Sequence, residues 1–211
     1  RCHHCMLAEY HCICSVKPRV ETSCAFCFIY YQGEVFKPSN TGRLIADVVE
    51  ENYAFQWKRT EIDPALKDLL INPDYLPIVI FPHEYAQASK CIDSVEELNN
   101  ELHGKKPLYI LLDGTWREAK KMFRSDYLQC LPVLGLKPSN PSQYGLREAA
   151  HLHQLCTAEV GVEVLNLQGD VSAAMALKEY FQVFRERYLA GKANIRLKTL
   201  DDVQGTDSSA H

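Results

Sequence analysis

No run of apolar residues in this 211-residue chain approaches the roughly 18 that a membrane-spanning helix requires, and its start carries no apolar core of a secretory signal. Both absences point to a soluble, cytoplasmic protein with no membrane partner. The numbering begins at Arg1, so targeting information further upstream would not be seen. Internal repeats are missing too. There is no excess of positive charge: 23 Lys and Arg stand against 27 Asp and Glu, a formal net charge of -4. Binding to a polyanion would therefore depend on a local basic surface and not on the field of the whole molecule. Nor do the cysteines form an even set. There are nine, and four fall within the first fourteen residues, which argues against a secreted disulfide scaffold and for a reduced compartment with a metal. With 46% hydrophobic residues the chain suits one sizeable domain.

The charge that is present is unevenly spread. Between Gly114 and Arg147 the chain carries Arg117, Lys120, Lys121, Arg124, Lys137 and Arg147 against only Glu118 and Asp126. Between Glu61 and Glu101 it is dominated by acids, among them Asp63, Asp68, Asp74, Asp93, Glu96 and Glu97. The first stretch is the candidate polyanion face; the alternative is that both are ordinary solvated surface.

The most informative segment is Leu108 to Phe123. Leu108 to Leu112 is a short apolar run of buried-strand type, closed by the turn dipeptide Asp113-Gly114. Thr115 with Glu118 three residues on reads as a capping box, and Trp116, Ala119 and Phe123 recur at helical spacing on one face. Arg117, Lys121 and Arg124 then share another. A strand end would thus deliver Asp113 and Trp116 to the mouth of a helix, the usual ligand position in open α/β sheets. An ordinary capped helix with a core tryptophan has the same spacing.

Around this centre the pattern is α/β. Residues 24–31 read as a strand feeding a loop with Glu34 and Asn40, and residues 41–53 as a packing helix with Leu44, Val48 and Val49 on one face. Residues 77–82 read as a second buried strand ending at Pro82-His83-Glu84, a loop placed to line a site, and Asp93-Ser94 as a plausible cap of a polar helix over 95–103. Residues 137–145 are loop chemistry beside the site. Thr157 is a plausible cap for a helix to about residue 167, and 171–189 is amphipathic, with Met175, Tyr180, Phe184 and Tyr188 available for packing. The expected divisions are a cysteine-rich zinc knuckle over 1–20, a catalytic domain over 21–191 and a flexible tail over 192–211.

Cys2-x2-Cys5 followed by Cys12-x-Cys14 supplies four soft ligands, enough for a closed tetrahedral structural zinc site. His3, His4 and His11 lie close enough in sequence to replace one thiolate. Cys24-x2-Cys27 has similar spacing inside a strand-like run and reads as a pair of buried free thiols.

Asp113-Gly114-Thr115-Trp116 resembles the Asp-x-Thr-Trp signature of the DTW-domain family. Three other segments agree in order: the Cys2, Cys5, Cys12, Cys14 cluster; Glu34 followed by Asn40-Thr41; and Cys156-Thr157-Ala158-Glu159, similar to a Ser-Thr-x-Glu block. Tyr31 stands where many members have histidine, and Cys156 where serine is common. The resemblance covers roughly residues 1–190. It implies a SPOUT-like, knotted fold with a mostly parallel sheet flanked by helices, and a tRNA-uridine aminocarboxypropyltransferase that uses S-adenosylmethionine. Asp113 is then the expected general base, or the group that orients the donor's amino group, and Trp116 a stacking partner for adenine or uridine. Phe81, Pro82, Leu112, Gly114, Thr115 and Thr157 are expected donor contacts, with Arg147 and Glu159 facing the donor's charged groups or forming surface ion pairs. Arg43, Arg117, Lys121 and Arg124 are expected RNA contacts. Asn40 and Thr41 would touch base or donor, unless Asn40 only caps the following helix. The sequence leaves open whether the protein is a monomer or a homodimer.

Overall fold

The computed structural model describes residues 1–136, 155–198 and 200. Six strands form one parallel sheet in the order β2-β1-β5-β3-β6-β4. They are β1 (Ala25–Tyr30), β2 (Asn52–Gln56), β3 (Tyr75–Ile80), β4 (Cys91–Ile92), β5 (Lys106–Asp113) and β6 (Val133–Leu134). The helices are α1 (Gly42–Val48), α2 (Pro64–Leu70), α3 (Val95–Leu102), α4 (Trp116–Phe123), α5 (Asp126–Gln129), α6 (Thr157–Gln168) and α7 (Val171–Lys192).

The two central strands explain the layering. β1 is buried at all six positions, and β5 at six of eight, as expected for parallel strands covered on both faces. Successive side chains alternate between two cores. Phe26, Phe28, Tyr30, Tyr109 and Leu111 pack with Leu44, Ile45 and Val48 of α1, Leu165 of α6, and Leu177 and Phe184 of α7. Ala25, Cys27, Ile29, Leu108 and Ile110 pack with Leu66 of α2, Met122 and Phe123 of α4, and Leu128 of α5. Cys24 and Cys27 are buried free thiols, as their position in the apolar run implied. Among the described residues no helix is long and apolar enough to cross a membrane.

The amino-terminal knuckle packs into the first of these cores through Cys5, Leu7 and Ile13. Its main polar anchor is Asp47 of α1, 6% exposed, which bonds Tyr180 Oη at 3.0 Å and pairs with Lys17 Nζ at 2.7 Å and His4 Nε2 at 2.9 Å.

Three expectations need correction. The helix placed over 41–53 is only α1, ending at Val48; residues 52–56 are β2, with Tyr53 and Phe55 packed on the second core. The break falls where Val49 turns to extended backbone, and Asn52 Nδ2 bonds its carbonyl at 2.8 Å. The second strand starts two residues earlier than expected, at Tyr75. Thr157 is not the cap of α6 but its first residue: Cys156 is the cap, and Glu159 accepts the Cys156 N–H at 2.8 Å. The expected loop over 137–145 and Arg147 lie outside the described residues, as do residues 199 and 201–211 of the expected tail.

Candidate functional site

β5 pairs in parallel with β1 on one side and β3 on the other, so the loops after these three strands meet at the carboxyl end of the sheet. Asp113, the last residue of β5, is 4% exposed. Its carboxylate accepts from Asn40 Nδ2 at 3.0 Å on one oxygen and from Thr157 Oγ1 at 3.3 Å on the other. Thr41 Oγ1 accepts the Ala158 N–H at 3.1 Å, which closes the ring of contacts between the mouths of α1 and α6. Asn40-Thr41, Asp113 and Thr157 come from three separate sequence motifs, and the fold brings them into one polar cluster. The cap of α1 is Thr41 and not Asn40, which precedes it and accepts the Arg43 N–H at 3.4 Å.

The close approach at this cluster requires glycine. A Cβ on Gly42 would lie 2.4 Å from Asp113 Oδ2 and 3.2 Å from Tyr30 Oη. Burial, with the negative charge of Asp113 beside it, pushes the Tyr30 hydroxyl above its usual range. The loop before α1 is held by Arg43, whose guanidinium donates to the carbonyls of Val35 and Lys37 at 2.9 Å each, Asn40 at 3.2 Å and His4 at 3.4 Å. Through His4 the same side chain ties this loop to the knuckle. Glu34, 1% exposed, pairs with Lys37.

Leu112 and Gly114 flank Asp113 and are both partly buried. Thr115 caps α4 in the expected box, with Glu118 Oε2 accepting its N–H and hydroxyl at 2.7 Å each. Trp116 is partly exposed and stacks on Phe81 at 5.3 Å and 19°, with the Tyr85 ring edge-on at 5.5 Å. Phe81, 4% exposed, stacks in turn on Phe123 at 4.2 Å. Trp116 thus belongs to an aromatic cluster at the ends of β5 and β3, and Pro82 is exposed at its margin. Arg117 and Lys121 are exposed on α4 and Arg124 at its carboxyl-terminal cap.

The loop after β3 lines a cavity of about 420 Å³ with His83, Asp93, Gly135, Glu163 and Asn166 around it. His83 Nε2 accepts the Gly135 N–H at 2.8 Å, leaving Nδ1 toward Asp93 Oδ1 at 3.3 Å. A volume of this order is typical of small-molecule sites. Apart from His83 no local pattern singles these residues out, because α6 and the two-residue strands β4 and β6 converge only in the fold. Tyr30, Gly42 and Trp57 carry no local site signal either: the first two meet Asp113, and the third meets Tyr31, only in the fold.

In the knuckle, the ligand atoms of Cys2, Cys5, Cys12 and Cys14 lie within 4.8 Å of one another. The Cys2 and Cys14 sulfurs are 3.7 Å apart and those of Cys5 and Cys12 3.8 Å. A tetrahedron with zinc–sulfur arms of about 2.3 Å has edges of about 3.8 Å, so the four thiols fit a zinc ion. The main-chain N–H of Cys5 lowers the Cys2 thiol to about 6, whereas burial raises Cys5 and Cys14. Cys5 is buried and the other three are partly buried, so four thiolates this close would repel one another, a cost that a divalent cation relieves. Of the three histidines that competed for a ligand place, His4 is engaged with Asp47, His11 Nε2 with the Ile195 carbonyl at 2.9 Å, and His3 is exposed.

The family model described as the DTW domain matches residues 1–189. The chain therefore belongs to the DTW-domain family, which is consistent with a tRNA-modifying enzyme. No solved structure matches the chain.

Proposed function

We propose that this protein transfers the 3-amino-3-carboxypropyl group of S-adenosylmethionine to a ring nitrogen of a tRNA uridine, forming acp3U and releasing methylthioadenosine. The observation that carries the proposal is the buried Asp113 carboxylate, fixed at a strand end by Asn40 and Thr157 from two other family motifs. A neutral uridine nitrogen is a poor nucleophile and attacks only as its proton leaves. The bond forms from that nitrogen to the carbon beside the sulfonium, the carbon–sulfur pair returns to sulfur, and the proton goes to Asp113. A second role for the same carboxylate, orienting the donor's ammonium, uses the same fixed acceptor. Which carbon of the donor is attacked depends on the geometry of binding and not on a special residue type.

A cationic donor suits an acidic surround, and Asp93 and Glu163 give the cavity after β3 that character. Phe81, Pro82, Leu112, Gly114 and Thr115 at the same end of the sheet are the proposed donor contacts, with Trp116 stacking on a base; Arg147 and Glu159 are the proposed partners of the donor's charged ends. Asn40, Thr41 and Arg43 belong to the acceptor side in this proposal. Exposed Arg117, Lys121 and Arg124 supply the local positive surface that a chain of net charge -4 needs to hold tRNA. The SPOUT-like, knotted character and the structural zinc belong to the same proposal, supported by the all-parallel sheet and the thiol geometry.

Nucleoside mass spectrometry of tRNA incubated with the protein and S-adenosylmethionine tests this, beside an Asp113→Asn variant that keeps the shape and removes the charge. The expected result is aminocarboxypropyluridine with wild type and a loss of at least about 100-fold with the variant, the scale of a general base. A methylated uridine instead would make the protein a methyltransferase. No product with any tRNA would leave a zinc-containing RNA-binding module, and equal product from both proteins would remove Asp113 as the base.

A further inference from the structure

Adjacent lysines of α4 serve different aromatic groups. Lys120 lies over Tyr85 and Trp116, 5.6 and 5.5 Å from their centroids, beside the ends of β3 and β5. Lys121 lies over Tyr31 and Trp57, at 5.5 and 5.3 Å, beside the ends of β1 and β2. The Tyr31 and Trp57 rings stack at 5.6 Å and 20°. Consecutive residues on a helix point about 100° apart, so the two groups flank α4.

The second group is built stiffly onto the site. Tyr31 directly follows β1, and its N–H donates to the Asp113 carbonyl at 2.9 Å; its hydroxyl accepts from Lys121 Nζ at 3.3 Å. Trp57 directly follows β2, its N–H donates to the Tyr30 carbonyl at 2.8 Å, and its indole N–H donates to Ser125 Oγ at 3.0 Å. The rings rest on the core below, yet both remain partly exposed. Lys58, Arg59, Arg117, Lys121 and Arg124 are exposed on the adjoining segments, against Glu34, Glu61, Glu118 and Asp126 as the nearest acids along the chain. Fixed rings with exposed surface and a rim of cations are what single-stranded nucleic acid binds: each base has a π-face, and each phosphate needs a cation.

We propose that Tyr31 and Trp57 form a stacking platform for an unpaired base next to the modified uridine, with Lys121 beside its phosphate. This rests on the proposed reaction at a uridine. The ring nitrogen of uridine sits on the base-pairing edge, so the target must be unpaired, and its neighbours in a loop are free to be splayed and stacked on aromatic side chains. Tyr31 bonds the main chain of Asp113, which puts the platform one strand from the reacting group. The target base meets Asp113 between the mouths of α1 and α6, and its neighbour lies on the rings beside α4 at the same end of the sheet.

The test is a cycle between protein and RNA. tRNA transcripts carrying an abasic residue at each position flanking the modified uridine are compared with the intact transcript, using wild type, Trp57→Phe and Trp57→Leu. The readouts are KM and kcat for product formation and, separately, equilibrium binding. At one flanking position the abasic residue should raise KM and Kd about 10- to 100-fold with wild type, from the usual worth of one stacked base. Trp57→Leu should show that loss already with intact RNA and none further with the abasic transcript, whereas Trp57→Phe, which keeps a ring, stays near wild type. Losses that multiply at every position, or a Trp57→Leu protein that binds like wild type, overturn the platform. Binding needs no chemistry: RNA bound through the platform without any product would overturn the reaction alone, and normal product with no coupling would overturn the platform alone.

Discussion

Replacing Gly42 with alanine places a methyl group where the site has no room. The new carbon would lie 2.4 Å from Asp113 Oδ2, with Asn40 Oδ1 at 3.5 Å behind. Ordinary carbon–oxygen contact lies about 1 Å further out. The carboxylate cannot recede that far without stretching the 3.0 Å bond from Asn40 or the 3.3 Å bond from Thr157, since it sits at the end of the central strand and is 4% exposed. Weakening either leaves a buried polar group unsatisfied at about 1–3 kcal/mol, against at most about 1 kcal/mol gained from alanine over glycine in a helix. The expected result is a net loss of about 1–2 kcal/mol, or roughly 2–8 °C in Tm for a chain of this size. The catalytic effect should be larger, because a group displaced by about 1 Å costs on the order of 100-fold in rate. Steady-state kinetics with tRNA and S-adenosylmethionine, run beside thermal denaturation, reads both. Gly169→Ala is the control. Its φ of +88° strains any side chain, but nothing lies within 4 Å of the added carbon, so it should lose about 1 kcal/mol and keep its kcat. A Gly42→Ala protein that turns over at the wild-type rate would refute the geometry assigned to Asp113.

Two further outcomes follow from the thiols. Purified protein should carry close to one zinc per chain by elemental analysis, and Cys5→Ser should lose it together with at least about 3 kcal/mol of stability, because Cys5, Leu7 and Ile13 leave the main core with the knuckle. An unchanged Tm in metal-free protein would contradict this. Burial pushes Cys24 and Cys27 up to about 12, so the folded protein keeps their protons while the unfolded chain loses them near pH 9. Stability from these groups is therefore full below pH 9 and falls as pH rises toward 12, by up to about 1.4 kcal/mol per thiol per pH unit. Urea denaturation of wild type and Cys27→Ala at pH 8, 9 and 10 should show the cost of the substitution shrinking with pH, and a constant difference would count against it.

Much of the site was legible because its residues are also local signals. Asp113-Gly114 ends a strand and Thr115 with Glu118 starts a helix, so the sequence placed Asp113 correctly without any tertiary information. The meeting of Asp113 with Asn40 and Thr157 was not legible from spacing, since no local rule joins residues 73 and 44 positions apart. Misreadings fell where two signals overlap. β2 directly follows α1, and its apolar residues extended the helical pattern; Thr157 looks like a cap, but its hydroxyl is turned to Asp113. Asp63-Pro64, a cap and a first helical residue, marked the start of α2 and went unread. Strands of two residues such as β4 and β6 carry too little pattern for any reading.

The all-parallel sheet also sets the order in which a working site can come into being. Strands that run the same way need long crossovers, and contacts distant in sequence form late and slowly. β5 must enter between β1 and β3, and the ring around Asp113 closes only through the bond between Ala158 and Thr41, 117 residues apart. During synthesis from the amino terminus the knuckle and β1 emerge first, but Asp113 lacks Thr157 until α6 has left the ribosome. A truncated chain that still folds its sheet would hold the Asp-Gly-Thr-Trp motif without its partner, so incomplete molecules should be unable to modify RNA.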